Sequence, residues 1–342
     1  MPQIITQIED DLHCSWKISW QKELASVVTD PKELLSLLNI DSNEYEQHFA
    51  ARKLFPVRVP KPFIAKMTKG DINDPLLAQV MPLNSEFEQV IGYSSDPLEE
   101  HDTVAEGLLH KYKHRVLMIV KAGCAVNCRY CFRRHFPYED NSPNKIRWQQ
   151  ALDYIKQHGE INEVIFSGGD PLMASDEHLS WLINQLELIS HVKRLRIHTR
   201  LPVVIPQRIT QNLCDMLANS RLKPVMVFHI NHGNEIDDTF LQAIESLIAA
   251  RIPLFNQSVL LANINDDADT LCALSEKLFD SGIQPYYIHV LDKVLGAAHF
   301  DVSEDTAKHI AKQMMATLPG FLMPKFVREN AGEANKTPLN LA

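Results

Sequence analysis

Three cysteines lie close together in the stretch Cys124-Ala-Val-Asn-Cys128-Arg-Tyr-Cys131. The C-x3-C-x2-C spacing supplies three thiolates from one short loop, whereas structural zinc usually takes four ligands from two separated pairs. Three close thiolates without a nearby fourth suit a cube of iron and sulfide that leaves one iron open. An open iron can bind and reduce a small molecule, so the motif predicts chemistry rather than a structural role.

The same loop admits a second interpretation, a zinc site with His135 as the fourth ligand. Its basic residues favour the cluster. Arg129, Arg133 and Arg134 would lower the pKa of the thiols and would offset the negative charge of a cluster. Metal analysis separates the two interpretations, because a cluster contains iron and acid-labile sulfide and the zinc site contains neither.

Composition and charge restrict the class of protein. The net charge of −9 does not favour non-specific binding to nucleic acid. Six cysteines, three of them in one loop, indicate a reducing compartment, and we expect Cys14, Cys214 and Cys272 to be buried on helices. The sequence shows no secretory signal and no apolar run of about 18 residues. We therefore expect a cytoplasmic protein whose partners include neither nucleic acid nor a membrane.

The chain divides into three predicted parts. Residues 1–100 are mainly helical, with helices predicted at 16–28, 32–38, 44–54, 64–67 and 75–80 and a proline-rich joint at 56–62. Residues 101–320 form the core, where apolar and helical segments alternate, and residues 321–342 form a short C-terminal segment. The 342 residues are enough for one large α/β domain with an N-terminal extension.

Six apolar segments of the core are predicted to be strands, each followed by a helix. The strands are predicted at 115–120, 163–166, 195–198, 225–229, 254–260 and 286–290. The helices are predicted at 148–158, 176–189, 207–218, 237–250, 268–281 and 304–318. This alternation predicts parallel strands with right-handed crossovers, in either an open barrel or a doubly wound sheet.

The positions of the polar residues favour the barrel. Every predicted strand ends in or carries reactive or polar groups. In chain order they are the cysteine loop, Ser167-Gly168-Gly169-Asp170, His198-Thr199-Arg200, His229, Gln257, and His289 with Asp292. The carboxyl ends of parallel strands meet at one mouth of a barrel, where active sites lie, so we expect these groups to converge. The two glycines would let a ligand approach the backbone closely. The sequence therefore predicts the α/β class, with a partial (βα)6 TIM-like barrel.

Together these features resemble the radical S-adenosylmethionine superfamily, over roughly residues 110–320. The resemblance implies that Cys124, Cys128 and Cys131 hold a [4Fe–4S] cluster whose open iron chelates S-adenosylmethionine. The strand end Ser167-Gly168-Gly169-Asp170 would contact the methionine amino group. One electron, from a donor such as flavodoxin or ferredoxin, then cleaves the molecule to methionine and a 5′-deoxyadenosyl radical. The protein's part is orientation and exclusion of water.

A closer resemblance, over roughly residues 90–342, is to the lysine 2,3-aminomutase family. It rests on the strings CAVNCRYCFRRHF, SGGDPL, HINHGNE, NQSVLL, LDKVLGAAHF and NKTPL. That family also binds pyridoxal phosphate, and the residue that matches its Schiff-base lysine is Lys336. A lysine amine can form an imine with an aldehyde and exchange it for a substrate amine. Without the resemblance, Lys336 would be taken for a solvated surface charge.

Further roles are implied residue by residue. Arg133 matches the arginine that clamps the substrate carboxylate, a task suited to a planar fork of donors. The remaining matches are Asp292 and Glu329 for the distal ammonium of lysine, Lys111, Tyr112 and Arg115 for the cofactor phosphate, and His229 and Gln257 near S-adenosylmethionine. Taken alone, these would be ordinary surface charges or satisfied core polar groups.

The sequence departs from the family in four ways. Lys111 stands where the family has an arginine. Gly332-Glu333-Ala334-Asn335 replaces a glycine-rich segment, and Glu329 replaces an aspartate that is one methylene shorter. The chain ends six residues after Lys336, where the free-lysine enzymes continue with zinc-binding cysteines that link subunits. The resemblance therefore does not imply the same tetramer, and a homo-oligomer stays open.

The short form, with the strings FRRHFPY and LDKVLGAAHF, is similar to the branch that makes (R)-β-lysine for attachment to a lysine of translation elongation factor P. The resemblance thus implies isomerisation of L-α-lysine to β-lysine and a functional link to the elongation factor P lysyl-ligase. Two alternatives remain at this point. One is a radical enzyme that acts on RNA or a peptide without pyridoxal phosphate, and the other is a zinc-binding interaction protein.

Overall fold

The computed structural model describes residues 19–100, 106–137 and 144–341. In these ranges, nine strands form one sheet whose order follows the chain. They are β1 (Leu108–Tyr112), β2 (Arg115–Lys121), β3 (Glu163–Gly168), β4 (Arg194–Thr199), β5 (Lys223–His229), β6 (Leu254–Val259), β7 (Gln284–His289), β8 (Lys325–Arg328) and β9 (Thr337–Pro338). The six predicted strands of the core are all present, as β2 to β7.

The strand order confirms the barrel and excludes the doubly wound sheet. Strands β2 to β8 pair in parallel, and β1 and β9 pair antiparallel with their neighbours at the two edges. A doubly wound sheet reverses its order at a switch point, and the described strands follow one another without reversal. The fold is therefore a partial, open TIM-like barrel.

The parallel strands are apolar because both faces of the sheet are covered. In β2, Val116, Met118 and Val120 are buried on one face of the sheet and Ile119 is buried on the other. The described residues contain ten α-helices: α1 (Trp20–Ala25), α2 (Pro31–Leu37), α3 (Lys61–Ile64), α4 (Lys145–Gln157), α5 (Asp176–Glu187), α6 (Leu201–Val204), α7 (Gln211–Ala218), α8 (Asp238–Ala249), α9 (Ala268–Asp280) and α10 (Glu304–Thr317).

Side-chain caps fix where the long helices of the barrel begin. Each capping oxygen accepts a hydrogen bond from the backbone N–H three residues later; the caps are Asn144, Ser175, Thr210, Asp237, Asp267 and Ser303. A cap of this kind contributes about 1 kcal/mol to helix stability. The predicted burial of Cys214 on α7 and Cys272 on α9 is confirmed, and Cys14 lies outside the described residues.

The N-terminal region is less helical than the sequence predicts. The segment predicted as a helix at 44–54 is a 3-10 helix (Ser42–Lys53), and residues 16–18 of the first predicted helix lie outside the described residues. The helix predicted at 75–80 is wrong: the segment forms successive turns. The buried Asp74 carboxylate accepts from the N–H groups of Leu76 and Leu77, at 2.8 and 3.0 Å, and so supports a turn instead.

Short 3-10 helices complete the connections. They are Asn84–Phe87, Pro171–Met173, Pro206–Arg208, Gly233–Glu235, Ala298–Phe300 and Gly320–Leu322. None of the helices in the described ranges has the length and apolarity that a membrane crossing requires.

The N-terminal region also supports the cysteine loop. The Nε of Arg58 donates to the carbonyl of Cys124 at 2.9 Å, and the backbone N–H of Asn127 donates to the carbonyl of Arg58 at 3.0 Å. The N–H of Arg129 donates to the carbonyl of Gln79, also at 3.0 Å. Three backbone positions of the loop are thus held by residues that precede the barrel in the chain.

Candidate active site

A cavity of about 500 Å³ runs through the barrel interior to the carboxyl ends of the strands. This volume lies within the range of small-molecule sites. Of the predicted site residues, the structure brings together at this cavity Cys124, Cys128, Cys131, Arg133, Ser167, Gly168, Gly169, Asp170, His229, Gln257, Tyr112, Arg115, Asp292, Glu329 and Lys336. Lys111 does not line it. The convergence spans more than two hundred residues of sequence.

The glycines that follow β3 lie against the cysteine loop. The N–H of Gly169 donates to the carbonyl of Lys121 at 2.8 Å, and a Cβ at position 169 would lie 2.6 Å from the carbonyl oxygen of Gly123. Gly168 has φ +116°, a conformation that L side chains rarely adopt. One side of these glycines therefore packs against the backbone of residues 121–123. Both glycines also line the cavity, and the approach of a ligand to them stays a prediction.

Asp170 ties two strand ends together. Its carboxylate accepts hydrogen bonds from the Thr199 hydroxyl and the Arg200 N–H, both at 2.7 Å. It also accepts from the N–H groups of Leu201 at 2.8 Å and Leu172 at 3.0 Å. Burial raises the pKa of Asp170, and these hydrogen bonds oppose the shift. The residue therefore fixes the end of β4 beside the end of β3.

The prediction that basic neighbours lower the pKa of the loop thiols is wrong for Cys124 and Cys131. Burial raises the pKa of Cys124 well above its usual value, the Asp170 carboxylate and the other two cysteines add to the shift, and the opposing charge of Arg133 is outweighed. Burial likewise raises the pKa of Cys131 to about 11. These thiols need the metal itself to hold them as thiolates.

The basic residues of the loop are paired with buried carboxylates instead. Glu86 accepts from Arg129 at 2.6 Å and from Arg134 at 2.9 Å. Glu100 accepts from Arg133 at 2.6 Å. These partners could not be predicted from the sequence, because both glutamates lie in the N-terminal hundred residues, far from the loop in the chain.

Arg200 contacts a cysteine sulfur, a role that was not predicted from the sequence. It follows β4, is buried, and donates through Nη1 to the Sγ of Cys128 at 2.8 Å. Its Nη2 donates to Gln79 at 2.7 Å and to Glu235 at 2.9 Å. The only sequence signal was the polar strand end His198-Thr199-Arg200.

Two histidines leave buried polar atoms at the cavity. In the described part of the chain, the Nε2 atoms of His198 and His229 are buried and have no hydrogen-bond partner. Burial, together with the charge of Arg200, lowers the pKa of His229 to about 3, so its ring is neutral. A neutral imidazole with an unsatisfied nitrogen is satisfied by a polar ligand. The cavity therefore fits a ligand that carries hydrogen-bonding groups.

The C-terminal segment brings Lys336 back to the barrel. Strand β8 pairs with β7, and β9 pairs antiparallel with β8, which places Lys336 at the cavity. Its Nζ forms an ion pair with the Glu329 carboxylate. The sequence predicted neither strand, because β8 is Lys-Phe-Val-Arg and β9 has two residues.

Two carboxylates near Lys336 have opposite pKa shifts. Burial and the charge of Glu329 raise the pKa of Asp292 to about 7, although Lys336 opposes the shift. Burial would raise the pKa of Glu329, but the charges of Lys336 and Lys111 outweigh it and lower the value. At neutral pH Glu329 is therefore an anion, whereas Asp292 is present in both its protonated and its ionised form.

The described residues do not support a zinc site. In residues 19–100, 106–137 and 144–341, no three His, Cys, Asp or Glu side chains lie where they could hold one metal ion together. His135, the proposed fourth ligand, contacts the carbonyl of Leu295 through Nε2 at 3.4 Å. Three cysteines that share one cavity without meeting at a point suit a cluster, in which each thiolate binds a different iron.

An open barrel of parallel strands, with three cysteines in the loop after the first of them, defines a radical S-adenosylmethionine enzyme. Residues 118–272 match the family model of the Radical SAM superfamily. Membership implies a [4Fe–4S] cluster and S-adenosylmethionine, which the three cavity cysteines and the two unsatisfied imidazoles fit.

Similarity to individual proteins narrows the class. L-lysine 2,3-aminomutase of Escherichia coli is 57% identical over 323 residues, which cover 94% of this chain and 94% of that protein. The Haemophilus influenzae protein of the same name is 58% identical, over 93% of this chain and 95% of its own length. The Clostridium subterminale protein is 34% identical, over 94% of this chain and 77% of its own length. The chain belongs to the lysine 2,3-aminomutase family and is an isomerase of the radical type.

Proposed function

We propose that this protein converts L-α-lysine to β-lysine, in the (R) form, with pyridoxal phosphate bound at Lys336. The observation that carries the proposal is that the Lys336 amine and all three loop cysteines line one cavity. A radical generated at the cluster and a substrate amine joined to the cofactor would then share a single water-excluding space.

The cofactor roles are assigned as follows. Cys124, Cys128 and Cys131 hold the cluster, and Ser167, Gly168, Gly169, Asp170, His229 and Gln257 surround S-adenosylmethionine. When bound, the cluster and S-adenosylmethionine supply a hydrogen-abstracting radical, and pyridoxal phosphate supplies the aldehyde that carries the migrating nitrogen. Tyr112 and Arg115 line the cavity and support a phosphate site, to which the family match adds Lys111. The Arg115 guanidinium lies 4.0 Å from the centre of the Tyr112 ring, so the two side chains stack.

The substrate is proposed to lie between a cation and two anions. Arg133 holds the carboxylate of lysine, while Asp292 and Glu329 hold the ammonium at the other end. All three side chains line the cavity, which supports the assignment. Fixing both ends of a flexible substrate restricts which hydrogen faces the radical. Glu329 reaches one methylene further than an aspartate would, and this supports a placement of lysine that differs from that in the free-lysine enzymes.

The cellular role is proposed from the motifs quoted above. The product supplies the β-lysyl modification of translation elongation factor P, in functional partnership with its lysyl-ligase. A flavodoxin- or ferredoxin-type protein donates the electron. The protein acts in the cytoplasm, either as a monomer or as a homo-oligomer. Residues 1–100, 101–320 and 321–342 are proposed to act as support, radical core and cofactor-lysine segment.

Anaerobic reconstitution tests the proposal. The wild-type protein, supplied with iron, sulfide, S-adenosylmethionine, pyridoxal phosphate and a reductant, should convert L-lysine to β-lysine, with chiral analysis giving the (R) form. Lys336→Ala should keep the iron content and lose both the visible absorbance of bound pyridoxal and turnover. Lys308→Ala, on the exposed face of α10, is the matched control and should behave as wild type. Full activity of Lys336→Ala, or a wild type without β-lysine, would refute the assignment.

A further inference from the structure

Glu100 is a buried carboxylate at the cavity to which the family match assigns no role. It is 4% exposed and lines the cavity beside Arg133. Its own position is fixed, because its backbone N–H donates to Oδ1 of Asp96 at 2.9 Å. A buried acid at an active site is maintained only where its partners offset the cost of desolvation.

The partners of Glu100 are two cations that the site itself would use. Oε2 accepts from the Nε of Arg133 at 2.6 Å, and Oε1 accepts from its Nη2 at 3.1 Å, so the contact is bidentate. Oε1 also lies 2.9 Å from the Nζ of Lys111. Burial would raise the pKa of Glu100, but the charges of Arg133 and Lys111 outweigh it and lower the value. Glu100 is therefore an anion at neutral pH.

The bidentate contact fixes the plane of the Arg133 guanidinium. Glu100 holds the edge formed by Nε and Nη2, and Nη1 donates to the Ser167 hydroxyl at 3.1 Å. Two contacts on different edges of a planar group leave it little freedom to rotate. Arg133 thus presents a guanidinium of set orientation to the cavity, instead of a flexible side chain that each substrate must order.

Glu100 also connects the two ends of the proposed substrate site. Lys111, which Glu100 holds at 2.9 Å, lies 3.8 Å from the Glu329 carboxylate, and Glu329 pairs with Lys336. A continuous chain of opposite charges therefore runs from Arg133 to Lys336.

We propose that Glu100 is a positioning residue for substrate recognition: it orients Arg133 for the carboxylate of lysine. The inference rests on the proposed function, in which Arg133 binds that carboxylate. It assigns Glu100 no contact with the reacting atoms. Glu100 acts through Arg133, so its loss should affect recognition of the substrate's charge before it affects turnover.

The test compares lysine with lysinamide, which has the same chain and no carboxylate. The measurements are the KM for lysine, kcat, and the inhibition constant of lysinamide for wild type, Glu100→Gln and Glu100→Asp. In Glu100→Gln we expect KM to rise about tenfold or more, the effect of losing a hydrogen bond between charged groups. The preference for lysine over lysinamide should shrink by a similar factor, with a smaller change in kcat. Glu100→Asp keeps the charge and should lie between the two.

Glu304→Gln is the matched control. Glu304 also lies between a lysine and an arginine, at 2.8 Å from Lys308 and 3.1 Å from Arg328, but on the surface. It should leave both constants at wild-type values. A residue that only stabilises the fold would lower the melting temperature and the amount of active enzyme while leaving the lysine-to-lysinamide ratio unchanged.

An unchanged ratio in Glu100→Gln, with wild type active, overturns the inference. A wild type that makes no β-lysine, or that binds lysine and lysinamide equally, overturns instead the proposed function or its assignment of Arg133. If Glu100→Gln does not fold, Glu100→Asp decides: a ratio equal to that of wild type, together with an unchanged KM, counts against the inference.

Discussion

The hydroxyl of Tyr112 donates a hydrogen bond to Oε1 of Glu329 across 3.0 Å. Tyr112 ends β1, at one edge of the sheet, and Glu329 directly follows β8, which lies beside the opposite edge strand. The two sides of the open barrel thus meet through side chains at the cavity. Because Glu329 also pairs with Lys336, this bond connects closure of the barrel to the position of the proposed cofactor lysine.

Removing the Tyr112 hydroxyl should loosen this closure. Tyr112→Phe keeps the ring but loses the hydrogen bond, so we expect a loss of about 1 kcal/mol in the free energy of unfolding. The dissociation constant of pyridoxal phosphate should rise, because Glu329 then has one contact fewer to hold it beside Lys336. Denaturant unfolding and titration of the pyridoxal absorbance measure the two effects. The control is Tyr93→Phe, whose hydroxyl donates to the Asp301 carboxylate at 2.8 Å away from the cavity. It should leave cofactor binding unchanged.

We expect the ionisation of Asp292 to cause the fall of kcat/KM on the acid side of the pH profile, which is called the acid limb below. Its pKa of about 7, raised by burial and by Glu329, means that the carboxyl is protonated below that pH. A neutral carboxyl cannot balance the substrate ammonium, so kcat/KM for lysine should fall about tenfold for each pH unit below 7. Above pH 7 the carboxylate form dominates and the value should level off. Asp292→Asn should lower the plateau and remove this limb, whereas Asp280→Asn, at the exposed end of α9, should keep it. A profile of Asp292→Asn with the wild-type limb would contradict the assignment.

Gly169→Ala should displace the cysteine loop. The added Cβ would lie 2.6 Å from the carbonyl oxygen of Gly123 and 2.7 Å from its carbon, and backbone atoms cannot give way as a side chain can. Overpacking of this kind costs about 1–3 kcal/mol. We expect less iron per chain after reconstitution and a lower melting temperature. At Gly159 an added Cβ meets nothing within 4 Å, so Gly159→Ala should change neither quantity. Equal iron content in the two variants would show that the close approach does not matter.

Loss of one loop cysteine should abolish the cluster. Cys128→Ala removes the sulfur that Arg200 contacts and leaves two thiols, too few for the three-cysteine site. Iron and acid-labile sulfide should fall to background, together with cleavage of S-adenosylmethionine. Cys272→Ala, on α9 and away from the cavity, should retain both. A stoichiometric cluster in Cys128→Ala would require a different ligand set.

Much of the barrel could be predicted because its signals are local. A strand buried on both faces must be an apolar run, and an amphipathic crossover helix must show helical spacing, so β2 to β7 and the helices after them could be located. The short strands β8 and β9 could not be predicted from the sequence. Hydrogen bonding to a neighbouring strand, rather than an apolar pattern, makes Lys325–Arg328 and Thr337–Pro338 into β8 and β9.

The candidate site divides in the same way. Cys124, Cys128 and Cys131 are close in the chain, so their common role was evident from spacing alone. Glu86, Glu100 and Arg200 contact the loop from distant segments, which a charge count along the chain cannot show. The error about the pKa values of the Cys124 and Cys131 thiols arose because their burial, which the spacing does not show, outweighs the nearby arginines.

The sequence by itself determined which functional groups the protein has for chemistry. The type of each ligand atom and its spacing along a short loop are set by the covalent chain alone. The tertiary structure decided which side chains are ionised and which of them are paired with an opposite charge, because burial and contacts between distant segments set the pKa and the partners of each group. Lys336 shows both: its amine is written in the sequence, but only the pairing of β8 with β7, and of β9 with β8, brings it to the cavity that the cysteines line.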